Sequence, residues 1–311
     1  MKIKPIIFFL MGPTAIGKSF LSIQLKKKFS NLEIISVDSK LVYRGLDIGT
    51  DKPNSKLLKI IPHHLINICN PSEIYSVAQF RKDALKSIRQ IILQNKVPFL
   101  VGGTMLYFKI LLEGLSKLPA SNIKIRSYIF YVLCHGKIDL LYQRLKIYDP
   151  IMCHKIHFHD TNRILRVLEV CYITGQKFSD LIKSRKKSFP YKVFQFGLFP
   201  RNKKELFKKI IMRFEYMLKN GLEREVKNLF LKKNLNLSLP SINSIGYKQM
   251  WLYLQKKITY QKMYDSTIQS TKKLVKHQLT WLKKWKNLIS IQVNTLEQTK
   301  NFLNILFKKY L

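Results

Sequence analysis

Acidic residues are scarce in this chain. Its 311 residues hold 18 Asp and Glu against 56 Lys and Arg, a net charge of +38. That shortage excludes an acidic surface and suits a polyanionic partner, meaning nucleic acid. Part of the excess has a second source, because the chain is also heavy in Ile, Asn, Phe and Tyr, which A/T-rich coding favours along with Lys. Cysteine is as sparse: Cys69, Cys134, Cys153 and Cys171, with no C-x-x-C pair. This speaks against a disulfide framework and a thiolate zinc site. His154, His157 and His159 crowd together without the thiolates or paired carboxylates that would make a metal site of them. No apolar run reaches the length of a membrane span. The run Ile6 to Met11 leads straight into a glycine loop, so it reads as a buried strand and not a signal peptide, which implies a cytoplasmic protein. Internal repeats and low-complexity tails are missing too. Hydrophobic residues make up 46%, ample for a core, and the length suits a main domain with a smaller second one.

The chain is organised around Gly12-Pro13-Thr14-Ala15-Ile16-Gly17-Lys18-Ser19. An apolar strand precedes it and an amphipathic helix from Phe20 onward follows, the context that the phosphate-loop pattern G-x-x-x-x-G-K-[ST] requires. Glycines let backbone N–H groups turn toward a polyphosphate, and the helix N-terminus adds a field that favours anions. Lys18 supplies a point charge to the terminal phosphate, and Ser19 a hydroxyl to Mg2+. The motif specifies a diphosphate or triphosphate; it does not specify ATP.

Leu32 to Val37 reads as a second strand ending at Asp38-Ser39. A carboxylate there lies on the ligand-bearing edge of a parallel sheet, or caps the following turn. The stretch from Leu41 to Pro53 has glycines at loop spacing and reads as a cover over the site. His63 to Ile68 reads as a short strand, and Tyr75 to Gln94 carries a helical period. Pro98 to Val101 is a buried strand, followed by Gly102-Gly103-Thr104 and a helix from Met105 to Leu112. From Asn122 to Pro190 helices follow one another without strands, which marks an insertion between residues 1–121 and 191–311. Within it, Arg163 and Arg166 fall three apart on one helix flank. Val193 to Leu198 returns as a strand. The helix from Lys204 to Asn220 buries Phe207, Ile211, Phe214 and Leu218, with Gly221 suited to its C-terminal cap. Arg213 beside that stripe either reaches the phosphate mouth or is a surface arginine. The remainder reads as helical and basic, with a turn at Ser244 to Gln249. A long helix near Thr271 to Trp285 interleaves lysines with Trp281 and Trp285, either to track a nucleic-acid strand or as core.

Taken together, Gly12–Ser19, Ser36–Ser39, Tyr43–Pro53, Leu100–Tyr107, Asp160–Glu169, Arg213, Ser244–Gln249 and Gln278–Trp281 resemble the bacterial tRNA dimethylallyltransferases, also called tRNA isopentenyltransferases. The resemblance spans nearly the whole chain in the right order. It implies an α/β fold: a phosphate-loop NTPase-like parallel sheet, an inserted helical tRNA-binding domain at 122–190 and a helical C-terminal region. It implies transfer of a dimethylallyl group from dimethylallyl diphosphate to N6 of adenosine 37 in the tRNA anticodon arm, by a monomer that uses Mg2+. Asp38 would be the general base on N6, with Thr14, Thr104 and Arg213 as further catalytic residues and Gly12 to Ser19 as the diphosphate cradle. The tRNA contacts implied are Asp38, Ser39, Lys40, Leu41, Thr104, Asn162, Arg163, Asn243, Ser244, Ile245, Gly246, Tyr247 and Lys248. Two positions depart from the family pattern: Leu41 where many members have glutamine, and His277 where arginine is usual.

A small-molecule or nucleotide kinase is the rival, since a phosphate loop and a strand-end carboxylate also serve phosphoryl transfer. The basic charge, the insertion and the lysine–tryptophan helix speak against it.

Overall fold

The computed structural model describes residues 4–183 and 189–311, the side chain of Cys134 excepted. Lys2 and the part of the expected insertion at 184–188 lie outside the described residues. The described chain divides into two compact units, one formed by residues 1–112 with 190–311 and the other by 113–189.

The larger unit is built on a six-stranded sheet. In chain order its elements are β1 (Ile6–Met11), α1 (Lys18–Lys28), β2 (Leu32–Val37), α2 (Ser55–Ile60), β3 (His63–His64), α3 (Val77–Leu93), β4 (Val97–Gly102) and α4 (Met105–Glu113). All strands pair in parallel, in the order β3-β2-β4-β1 and onward through two later strands. β1, β2 and β4 are almost wholly buried, which is why they read as unbroken apolar runs. The register sets Met11 and Val37 each opposite Gly102. The loops after β1, β2 and β4 therefore open side by side on one edge of the sheet, where parallel sheets bind their ligands.

The second unit consists of α5 (Ile123–Cys134), α6 (Ile138–Tyr148), α7 (Pro150–Lys155), α8 (Thr161–Thr174) and α9 (Phe178–Leu181). Ile129, Leu141, Leu145, Ile164 and Leu168 form its core. Its central polar feature is Glu169, fully buried. Arg126 reaches its two oxygens at 2.9 and 3.1 Å, Arg166 at 2.6 Å, and the Asn122 N–H at 2.8 Å. Arg166 is thus an internal partner of Glu169 and not an open flank residue like Arg163.

The chain then returns to the first unit as β5 (Lys192–Pro200), α10 (Lys203–Lys219), α11 (Leu222–Phe230), α12 (Tyr247–Leu254), α13 (Tyr260–Lys283), β6 (Ile289–Val293) and α14 (Leu296–Tyr310). β5 joins β1, and β6 closes the sheet beyond β5. Phe307 of α14 packs on Phe8 and Phe196 at centroid distances of 4.3 and 5.4 Å, tying the last helix to the middle of the sheet.

Several local expectations need correction. His63–Ile68 is a strand for two residues only, because Leu65 and Asn67 adopt left-handed backbone (φ 65° and 57°) and turn the chain away. The buried stripe of α10 is Leu206, Ile210, Phe214 and Met217, with the expected Phe207, Ile211 and Leu218 on its half-buried shoulder. Ser244 to Gln249 is a turn only as far as Gly246, after which α12 begins. The helix expected from Thr271 starts eleven residues earlier, at Tyr260. The C-terminal region is not all helical, since Ile289–Val293 forms β6 and buries Ile291 and Val293 on alternate positions.

Candidate active site

The loop after β1 holds its shape through left-handed residues. Ala15 has φ 63°, and Gly17, the residue before α1, has φ 101°, a conformation glycine adopts without strain. The amide of Thr14 donates to Gln278 Oε1 at 2.9 Å. The amides of Ala15 to Ser19 find no protein acceptor among the described residues. A row of unsatisfied donors at a helix N-terminus is an anion cradle. Lys18 lies at its centre and donates to the Pro13 carbonyl at 2.7 Å. Burial pulls its ammonium down to about 7, Asp38 opposing and Arg213 reinforcing the fall. The Ser19 hydroxyl makes no hydrogen bond among the described residues, and no group of three or more His, Cys, Asp or Glu able to hold a metal occurs among them. One hydroxyl beside a phosphate cradle fits Mg2+, which binds through few protein ligands plus phosphate oxygens and water.

Asp38 follows β2 on the same edge. Its Oδ1 accepts from the amides of Lys40 at 2.7 Å and Leu41 at 3.3 Å. It therefore caps its own turn, as one reading of the sequence had it, but this uses one oxygen only. Oδ2 accepts no hydrogen bond among the described residues. Thr104, after β4, accepts the Ser39 amide on Oγ1 at 3.2 Å, so the two loops are stitched together. Gln278 of α13 stitches a third: besides accepting from Thr14 it donates to the Gly103 carbonyl at 2.9 Å. Arg213 reaches the mouth of the site and is no surface arginine. Its Nη1 donates to Thr14 Oγ1 at 2.6 Å and its Nη2 to the Thr50 carbonyl at 3.3 Å. Asp51 Oδ2 stands 3.1 Å from Nε as an ion pair, without the alignment of a hydrogen bond.

These groups border a cavity of about 450 Å³. Thr14, Asp38, Thr104, Arg213 and Gln278 are among its polar lining residues, while Leu106, Ile210, Phe214, Met217, Leu274 and Trp281 supply apolar surface. Such a chamber takes a ligand with a charged head and a hydrocarbon body. Trp281 is thus a cavity wall with Lys109 5.8 Å from its ring, whereas Trp285 is half-buried, does not line the cavity and donates to Gln195 Oε1 at 2.7 Å.

The expected tRNA contacts separate into three groups. Ser39, Lys40, Asn243, Ser244, Ile245 and Gly246 line the cavity with Asp38 and Thr104. Leu41 and Lys248 do not line it, although Lys248 is exposed. Tyr247 has no exposed surface and its hydroxyl is held inside by Glu225, so it is a strut and not a surface contact. Asn162 and Arg163 lie on the second unit, exposed in the first turn of α8, with Arg163 paired to Asp160 at 3.2 Å. Sequence reasoning placed Thr50 and Asp51 in the cover over the site and Gln278 in a stretch of the family resemblance, but gave none of the three a role in the site. Only Gln278 carries a signal: it is a polar residue on the buried stripe of α13, between Val275 and Leu282.

The family model described as IPP transferase matches residues 41–285. A tRNA dimethylallyltransferase of Buchnera aphidicola subsp. Cinara cedri is 57% identical over 295 residues, covering 94% of this chain and 95% of the relative. One from Buchnera aphidicola subsp. Acyrthosiphon pisum (strain APS) is 48% identical, covering 99% and 97%. Among solved structures, the tRNA isopentenylpyrophosphate transferase of Bacillus halodurans superposes with a TM-score of 0.71 at 29% identity, over 98% of this chain and 96% of that one. A eukaryotic dimethylallyltransferase acting on tRNA gives 0.79 at 28% identity, over 94% and 75%.

Proposed function

The chain belongs to the IPP transferase family, and from this we propose that it is a tRNA dimethylallyltransferase, moving the dimethylallyl group of dimethylallyl diphosphate to N6 of adenosine 37. The observation that carries this reading is the shape of one cavity. Thr14 of the phosphate loop, Arg213 and a carboxylate with one uncommitted oxygen line it together, and Leu106, Ile210, Phe214, Met217, Leu274 and Trp281 give it an apolar side. A kinase site would need polar edges to read a nucleotide base; a five-carbon tail needs none.

The diphosphate lies on the amides of Ala15 to Ser19, with Lys18 released from Pro13 to meet it. The Ser19 hydroxyl would help hold Mg2+, which supplies further charge neutralisation to the diphosphate. The prenyl tail enters the apolar chamber toward Leu274 and Trp281. Adenosine 37 leaves the anticodon stack to reach Asp38, as base-modifying enzymes require. Asp38 Oδ2 takes the proton from N6 as nitrogen attacks the allylic carbon. The carbon–oxygen bond breaks and its electron pair leaves with the diphosphate. Lys18 and Arg213 act where that negative charge grows. The Thr14 oxygen already accepts from Arg213, so its own hydroxyl proton is free to point at the leaving group. The exposed Asn162 and Arg163 of the helical unit grip the anticodon arm, and the enzyme acts as a monomer in the cytoplasm.

The test is the mass of adenosine 37 after purified protein, tRNA, Mg2+ and dimethylallyl diphosphate are incubated without ATP. A gain of one five-carbon prenyl unit is expected. An unmodified nucleoside, or one modified only when ATP is added, would overturn the reading.

A further inference from the structure

Arg213 can serve the leaving group only if something holds its guanidinium in place, and its partners besides Thr14 come from the short loop Asp47–Lys52. Two contacts link them: the Thr50 carbonyl accepts from Nη2 and the Asp51 carboxylate pairs with Nε. Asp51 itself adopts left-handed backbone, φ 56°, so the loop is not held by regular structure.

It closes on itself through the Asp51 amide to the Ile48 carbonyl and the Lys52 amide to the Asp47 carbonyl, both 3.0 Å, and a carboxylate anchors it to α11. Glu225 of α11 accepts the amides of Asp47 and Ile48 on Oε2, at 3.0 and 2.8 Å, and the amide of Gly49 on Oε1, at 3.2 Å. The Tyr247 hydroxyl donates to the same Oε1 at 2.5 Å. Three consecutive amides on one carboxylate fix the loop as a helix N-terminus fixes an anion, with the partners reversed. The Tyr247 ring packs so closely on Gly49 that a β-carbon there would fall 2.5 Å from it. From the other side Lys52, 2% exposed, donates to the Tyr43 carbonyl, Asp47 Oδ1 and Asn67 Oδ1 at 2.6 to 2.7 Å.

We infer that Glu225 is a positioning residue for the transfer reaction, which locks the Asp47–Lys52 loop so that Thr50 and Asp51 aim Arg213 at Thr14 and the leaving diphosphate. This rests on the transferase reading of the site. Glu225 touches neither substrate; its effect on the rate passes through Arg213. The glutamine variant keeps the length and one acceptor oxygen but removes the charge that holds three amides at once.

The experiment is a double-mutant cycle in the full-length protein, read by single-turnover prenyl transfer at saturating tRNA and dimethylallyl diphosphate, with tRNA affinity measured alongside. Glu225→Gln is expected to slow transfer roughly tenfold, the worth of a lost charge-assisted hydrogen bond, with tRNA affinity unchanged. In an Arg213→Ala background the same change should cost less than about twofold, because the residue it positions is gone. Tyr247→Phe removes one bond to Glu225 and keeps the packed ring, so it covers the case in which Glu225→Gln does not fold; it should slow transfer about threefold and be silent in the Arg213→Ala background. Additive losses, an unchanged rate in a folded variant, or an equal loss of tRNA affinity would overturn the proposal while leaving the enzyme's function intact. A wild-type protein that transfers no prenyl group would overturn both.

Discussion

Lys18 makes the binding of substrate a proton-linked event, and the linkage can be worked from the site. Burial leaves its ammonium with a pKa of about 7 in the free protein. The diphosphate brings its negative charge against this nitrogen, which raises such a pKa by about one to three units. The sign follows. Below about pH 6 the free site already holds the proton and binding takes up little. At pH 8 about nine-tenths of free sites lack it, so each bound ligand should draw in about 0.4 to 0.9 proton, and affinity should be about five- to tenfold weaker than for the protonated site. A phosphate monoester loses its second proton near pH 6, so at pH 8 the ligand has none to release and the balance belongs to the protein. Titration calorimetry of dimethylallyl diphosphate in two buffers of different ionisation heat reads the uptake directly. Lys18→Gln should abolish it. Undiminished affinity at pH 8 with no proton taken up would refute the reasoning.

Three further outcomes are expected. Asp38→Asn should retain tRNA binding and slow transfer by about 10²–10⁴, the usual worth of a positioned base, in a single-turnover assay. Arg163→Ala should weaken tRNA binding in a titration and leave dimethylallyl diphosphate binding alone, because Arg163 lies on the helical unit and outside the cavity. Glu169→Gln should destabilise the helical unit by about 3 kcal/mol in denaturant unfolding. Burial pushes the Glu169 carboxyl up, yet the hydrogen bonds of Arg126, Arg166 and Asn122 outweigh it and hold the pKa at about 2. Its contribution is therefore complete above about pH 4.5 and lost as the pH falls toward 2, a dependence the glutamine variant should lack.

The parts of this molecule legible in the sequence are those encoded locally. The phosphate loop is eight consecutive residues between an apolar run and a helix, and the strand ends at Asp38 and Gly102 lie where apolar runs stop. Their meeting on one edge follows from parallel pairing alone. What escaped depends on contacts far along the chain. Gln278 joins Thr14 and Gly103 across 264 and 175 residues, and no spacing rule reaches that far. Glu225 reads as an ordinary charge in the first turn of a helix until the loop it holds, 176 to 178 residues earlier, is brought beside it. The false strand at Asn67 and the shifted stripe of α10 have simpler causes. Left-handed backbone at Leu65 and Asn67 ends the strand, and along α10 apolar residues recur at several registers among which packing chooses. β6 was hidden because five residues of alternating burial sit between two long basic helices.

The central claim is that one cavity couples departure of diphosphate to capture of N6. The most direct measurement follows both products in a single turnover without ATP: diphosphate released, and prenylated adenosine 37 formed. The account predicts equal amounts appearing at one rate, and a common slowing of both in Asp38→Asn. Diphosphate released without prenylated adenosine, or a reaction that consumes ATP and yields ADP, would contradict it.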